Sequence, residues 1–363
     1  MVASSRSRMS FLDRFLPVWI IFAMVAGLLV NHVVPGIGEK LGALEVGGIS
    51  FPIALGLLVM MYPPLAKVQY DKTRQIASDR RLMTVSIVLN WIVGPALMFV
   101  LAWLCLPGEP ELRTGLIVVG LARCIAMVLV WSELSCGDRE LTAVLVAVNS
   151  VFQVLMFGVL GWFYLQVLPG WLGLPTTSAD FSFWSIVISV LVFLGIPLAA
   201  GLASRVFGEK IKGREWYETK FLPAISPLAL VGLLYTIVLL FSLQGEQISE
   251  HPWAVARTAV PLVAYFAGMF AISLVVSKVT GLSYAQSASV SFTAAGNNFE
   301  LAIAVSIGTF GATSAQALAG TIGPLIEIPV LVGLVYVMLS MGPKLFAGDP
   351  TLPAQPGSPT RSG

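Results

Sequence analysis

Two long apolar runs carry residues that apolar runs rarely tolerate. In TGLIVVGLARCIAMVLVWSEL the exceptions are Arg123 and Cys124; in YAQSASVSFTAAGNNFELAIAVSIGTF they are Gly296, Asn297 and Asn298, followed by Glu300. A further carboxyl group, Glu327, stands between Pro324 and Pro329 in GTIGPLIEIPVLVG. A charge at bilayer depth costs at least ~2.5–3.5 kcal/mol, so each must be compensated or must line a path for a polar solute. Two readings are open for Arg123: a buried pair with a glutamate that locks two helices together, or a pathway role. Cys124 is either a small packing residue or, with a cation nearby, a thiolate ligand. Neighbours on a helix point about 100° apart, so the influence of Arg123 on the thiol would be indirect. Cys136 lies about 18 Å along the axis from Cys124, at about 1.5 Å per residue, and Cys105 belongs near the outer end of another segment. A site of three thiolates is therefore not expected.

Other polar groups share this depth: Asn90, Asn149, Gln153 and again Glu327. Asn149 and Gln153 are four apart and share a helix face. Such residues often only hydrogen-bond between helices, typically for about 0.6 kcal/mol, so they rank with Glu327 as secondary candidates. The Gly-Asn-Asn run is a poor helix interior, because glycine frees the backbone and asparagine competes for its hydrogen bonds. A break is expected there. Irregular backbone at membrane depth survives only where it is buried in protein or lines a cavity.

These residues must be held by membrane-spanning helices. Of 363 residues, 57% are apolar and 11% charged, with mean hydropathy +0.87, against about 25% charged in soluble domains. A soluble globular protein is excluded. The net charge of +2 comes with no basic face, which leaves no footprint for nucleic acid. Three cysteines and two histidines, His32 and His251, argue against a disulfide scaffold, a metal site or a cofactor. Ten apolar segments are expected, at about residues 15–34, 49–68, 82–106, 114–134, 140–168, 183–207, 222–243, 253–277, 284–309 and 315–341. The first is read as a retained span, since no A-x-A cleavage site follows it.

Lysine and arginine fall mostly on one side. Arg6, Arg8, Arg14, Lys67, Lys72, Arg74, Arg80, Arg81, Arg139, Arg205, Lys210, Lys212, Arg214, Lys220, Lys278, Lys344 and Arg361 lie there, against Lys40, Arg113 and Arg257 on the other. Both termini are therefore expected in the cytoplasm, with the protein in the cell membrane. Ten spans divide into two halves of five, residues 1–168 and 183–341, joined by an external linker at 169–182, and an odd number per half inverts the second. The basic loop KVQYDKTRQIASDRR then corresponds to QGEQISEHP, which has no Lys or Arg, and Pro95 to Pro261. The fourth and ninth spans become repeat mates whose middles should meet, at the mid-membrane locus where inverted-repeat transporters bind substrate. Residues 342–363, rich in Pro, Gly and Ser, are expected to form a disordered cytoplasmic tail.

GLARCIAMVLVW with GDRE and NSVFQVL, then TAAGNNFELAIAV and IGPLIEIPVLVGLVYV, resemble the arsenical-resistance family of arsenite efflux permeases, within the bile acid, arsenite and riboflavin transporter superfamily. The likeness runs through nearly all ten spans. It implies an all-α membrane protein of two inverted five-helix repeats, with discontinuous, crossing helices 4 and 9. It further implies extrusion of trivalent arsenic, in some members antimonite, in exchange for protons. The family's essential cysteine matches Cys124 and its essential span-9 glutamate matches Glu300. Asn297, Asn298 and Glu300 would join Cys124 in binding substrate, and Glu300 with Arg123 would carry the proton. Gly296 departs from the serine expected before the paired asparagines. Arsenous acid is neutral with three hydroxyls, and its soft arsenic suits a thiolate.

A sodium-coupled organic anion symporter of the same superfamily is the alternative; it would want several converging oxygen ligands. An intramembrane enzyme would need a motif such as HExxH or GxSxG, and neither occurs. Whether the chain works as a monomer or a homo-oligomer is left open by the sequence.

Overall fold

The structure is a computed structural model that describes residues 16–34, 36–37, 45–46, 49–68, 78–125, 127–176, 183–250, 252–311 and 314–352. Twelve helices follow one another in the described residues. They are α1 (Leu16–Val33), α2 (Phe51–Ala66), α3 (Arg80–Cys105), α4 (Pro110–Leu121), α5 (Met127–Leu134), α6 (Arg139–Trp171) and α7 (Phe183–Lys212). After a turn at Arg214–Trp216 and a wider one at Tyr217–Phe221 comes α8 (Leu222–Glu250), then α9 (Pro252–Val279), α10 (Tyr284–Ala295), α11 (Phe299–Phe310) and α12 (Ala315–Leu345). A hairpin of two-residue strands, Glu45–Val46 and Ile49–Ser50, precedes α2.

Each of the ten expected segments coincides with one helix, or with two where the chain breaks: α4 and α5 share the fourth, α10 and α11 the ninth. Among the described residues six helices are long and apolar enough to cross a membrane, and α1, α2 and α11 are shorter apolar ones. The chain is a multi-pass membrane protein. The basic residues expected before α1 and Lys72 and Arg74 before α3 lie outside the described residues, as do 177–182 of the expected linker.

Among the described residues α3, α6 and α7 each contain one π-helical turn and a fourth leads into α8, and each turn ends two residues before a proline. Leu89–Val93 precedes Pro95, Phe163–Val167 precedes Pro169, Leu191–Gly195 precedes Pro197 and Tyr217–Phe221 precedes Pro223. Proline has no N–H to give to the carbonyl four residues back and its ring presses on that carbonyl, so the backbone widens by a residue instead of breaking.

The helices pack in two groups. In one, α8 lies against α1 and α2, and α7 against α2. Gly56 and Gly232 let α2 and α8 close up, since a Cβ on Gly232 would sit 2.7 Å from the Met60 nitrogen. In the other group, α9 packs against α3, α10 and α12, α4 against α3 and α12, and α6 against α10.

The chain stays ordered beyond Pro343, where composition pointed to a disordered tail. Helix α12 runs to Leu345, and the Asp349 carboxylate then accepts the Tyr284 N–H at 2.8 Å while the Thr351 hydroxyl accepts the Ala285 N–H at 3.2 Å. The tail's first residues thus satisfy orphan N–H groups at the start of α10. Residues 353–363 lie outside the described part.

Candidate functional site

The two breaks meet. Helix α4 stops at Leu121 and Ala122 turns extended; α10 stops at Ala295 and Gly296 turns extended. Arg123 and Asn297 then pair as an isolated antiparallel bridge. The Cys124 N–H donates to the Gly296 carbonyl at 3.3 Å and the Asn298 N–H to the Ala122 carbonyl at 3.1 Å. The Asn297 amide nitrogen donates to the carbonyls of Val119 at 2.8 Å and Ala122 at 3.1 Å, and the Asn298 side chain caps α11 by accepting the Leu301 N–H at 3.0 Å. Several backbone groups released by the breaks are thereby paired across the junction.

Arg123 is fully buried. Its backbone N–H donates to the Gln153 side-chain oxygen at 2.6 Å. Its guanidinium donates through Nη1 to the Tyr265 hydroxyl at 2.8 Å and the Ala294 carbonyl at 3.3 Å, and through Nη2 to the Gly120 carbonyl. Gly94 makes the room, because a Cβ there would stand 2.7 Å from Nη1. The buried pair with a glutamate weighed from the sequence does not form: among the described residues no carboxylate is in an ion pair with Arg123. The reason is geometric. The ends of α4 and α10 present unpaired carbonyls beside it, and a guanidinium fork satisfies several acceptors at once.

Cys124 is buried with its side chain against Gly296. A Cβ on that glycine would lie 3.0 Å from the Cys124 Cβ and 3.6 Å from its sulfur. Glu327, reaching in from α12, accepts the Asn297 N–H at 3.4 Å. Glu300 sits in the first turn of α11, where a carboxylate meets the positive end of the helix dipole, and it is half-buried. Four buried polar atoms around the junction have no hydrogen-bond partner: Arg123 Nε, Gln153 Nε2, Asn297 Oδ1 and Asn298 Nδ2.

Of the residues singled out by sequence, Arg123, Cys124, Gln153, Asn297, Asn298 and Glu327 come together at the junction, with Glu300 one residue past the start of α11. Asn90 and Asn149 do not join them through hydrogen bonds. Asn149 accepts the Trp91 indole N–H at 3.0 Å and donates to Asn90 at 3.3 Å, while Asn90 donates to the Ser86 carbonyl at 2.9 Å, so these side chains fasten α3 to α6. Tyr265 and Gly94 were not singled out. Tyr265 lies in an apolar stretch with nothing nearby in sequence to mark it, whereas Gly94, one residue before Pro95, carried a local signal of irregular backbone.

The model of the sodium bile acid symporter family matches residues 54–251. An arsenical-resistance protein Acr3 of Corynebacterium glutamicum is 78% identical over 348 residues, 96% of this chain and 94% of its own length. The chain belongs to the arsenical-resistance family of membrane transporters. An arsenical-resistance protein Acr3 of Alkaliphilus metalliredigens is 31% identical over 337 residues, 90% of this chain and 92% of its own, and an uncharacterized transporter of Synechocystis sp. is 35% identical over 348 residues, 91% and 88%. In this arsenical-resistance chain the departure at Gly296 has a local consequence. The glycine's backbone, φ −72° and ψ 146°, is open to any residue, so it is the space beside the cysteine that a side chain would change.

Proposed function

We propose that this protein extrudes trivalent arsenic, as arsenite and also antimonite, from the cytoplasm in exchange for protons. The observation that carries the reading is the set of unpartnered buried polar atoms on Gln153, Asn297 and Asn298 around the Cys124 junction. Buried polar atoms are normally paired. Arsenous acid offers three hydroxyls that donate and accept, together with a soft centre for sulfur. One thiol with a few hydrogen bonds binds weakly enough for release, as transport requires. The names of the two Acr3 relatives support the same substrate class.

Glu300 is the proton carrier in this reading. Ionised, it is held by the start of α11; protonated, it leaves that end without a counter-charge, and exchange with substrate couples the two fluxes. The inverted repeat is part of the proposal and is supported by packing. Shifting each span by five turns the α1–α8 contact into α7–α2, α3–α4 into α9–α10, and α4–α12 into α10–α6, all of which occur. Both termini are then cytoplasmic, in the cell membrane. Everted membrane vesicles test the function: an acid-inside pH gradient should drive uptake of radiolabelled arsenite severalfold above the level without a gradient. Equal uptake in both conditions would remove proton exchange, and no uptake would remove arsenite.

A further inference from the structure

Helix carboxyl ends carry unpaired carbonyls and about half a negative charge each. At the junction two such ends face one another, those of α4 and α10, each helix twelve residues long. The starts of α5 and α11, which follow the same breaks, carry the opposite sign, so the carbonyls themselves are what a cation would meet, and broken helices in transporters hold sodium with such ends. The matching family model is named for sodium symport. In this chain those carbonyls are already engaged. The Arg123 guanidinium donates to Gly120 at the end of α4 and to Ala294 at the end of α10, and also binds the Tyr265 hydroxyl that would otherwise offer another oxygen. No ion-paired carboxylate competes for Arg123 among the described residues, so its unit charge is free to balance the two ends. A sodium ion does not fit where the guanidinium stands.

We propose that Arg123 is a resident cation. It fills the place that two facing half-helix ends create for an inorganic cation, and it makes the fold and its transport cycle independent of sodium. Arg123 is thereby a positioning residue that holds the junction closed, with the partner-free Nε among the donors left for a polar solute. The proposal bears on the ion coupling of the transporter read above, but its first test needs no substrate.

The purified protein should show the same melting temperature in sodium, potassium and choline chloride at equal ionic strength. Arg123→Ala should lower it by roughly 5 °C or more, and millimolar guanidinium, which can re-enter the vacated place, should restore part of the loss where choline does not. Arsenite uptake by wild-type vesicles should not change on replacing sodium with choline. Saturable stabilisation of the wild type by sodium, or a folded Arg123→Ala protein indifferent to guanidinium, would overturn the proposal. Should the alanine variant fail to accumulate, the wild-type sodium series decides alone: indifference upholds the proposal and saturable stabilisation ends it. Absent arsenite uptake with salt-independent melting counts against the transport reading and leaves the resident cation standing.

Discussion

Arg123 and Asn297, 174 positions apart in sequence, share a lone antiparallel backbone bridge at the point where two membrane helices are interrupted. Everything chemical at the site is arranged around it. Cys124 follows one strand of the bridge, Asn298 follows the other, and Glu327 holds the Asn297 N–H from a third helix.

Cys124→Ser keeps size and hydrogen bonding but removes the soft ligand. Arsenite efflux should fall to the background of transporter-free cells while expression and melting temperature stay near wild type. Cys105→Ser and Cys136→Ser together should retain most efflux. Resistance conferred by Cys124→Ser would make the thiol a packing group.

Glu300→Gln and Glu327→Gln should separate. The first permanently imitates the protonated acid and should stop pH-driven uptake in everted vesicles. The second keeps an oxygen that can accept the Asn297 N–H, so uptake should fall by less than tenfold. Complete and equal loss in both would move the proton site to α12 or to the two acids jointly.

The legibility of this site from sequence was uneven, for physical reasons. The break before α11 was readable because Gly296, Asn297 and Asn298 are all poor inside a helix. The break after Leu121 was not, since LARCIAM has ordinary helix formers; only the repeat and the family resemblance suggested it. The ten segments emerged from apolar runs and charge. The partner of Arg123 did not, because a buried arginine can be satisfied by carbonyls that no residue type announces. Asn149 and Gln153 share a face, yet one ties α3 to α6 and the other reaches the Arg123 backbone, a split visible only in three dimensions.

Gly94→Ala would place a methyl group 2.7 Å from Arg123 Nη1 and 3.2 Å from the Tyr265 hydroxyl. Overpacking of this kind costs about 1–3 kcal/mol. The detergent-solubilised variant should melt several degrees lower and lose most uptake. An unchanged melting curve would mean that the guanidinium can shift freely, against a clamped junction.

Sidedness is open to labelling. In a background without Cys105 and Cys136, a cysteine at Lys212 should be shielded from an impermeant maleimide in intact cells, whereas one at Glu250 should react. Reaction at both positions from outside would break the inverted arrangement.

The docked tail should respond to acid. Burial works to raise the Asp349 carboxyl, but hydrogen bonds from the Thr351 hydroxyl, the Thr351 N–H and the Tyr284 N–H outweigh it and hold the group below the ordinary aspartate range. A depressed carboxyl stabilises above its unfolded value and loses that contribution as pH falls through its folded one. Hydrogen-exchange protection at Tyr284 and Ala285, relative to the unstructured rate at each pH, should therefore be constant through neutral pH and fall only below the usual aspartate range. Asp349→Asn should flatten this response.

The wide turns ahead of Pro95, Pro169, Pro197 and Pro223 carry a mechanical consequence. At each one a continuous helix lacks a regular rung, and bending in helices concentrates at such points. α3 and α6 belong to the group around the junction, α7 and the lead-in to α8 to the other, so each group owns two compliant cross-sections. Load applied across the bilayer would bend the helices at these four places.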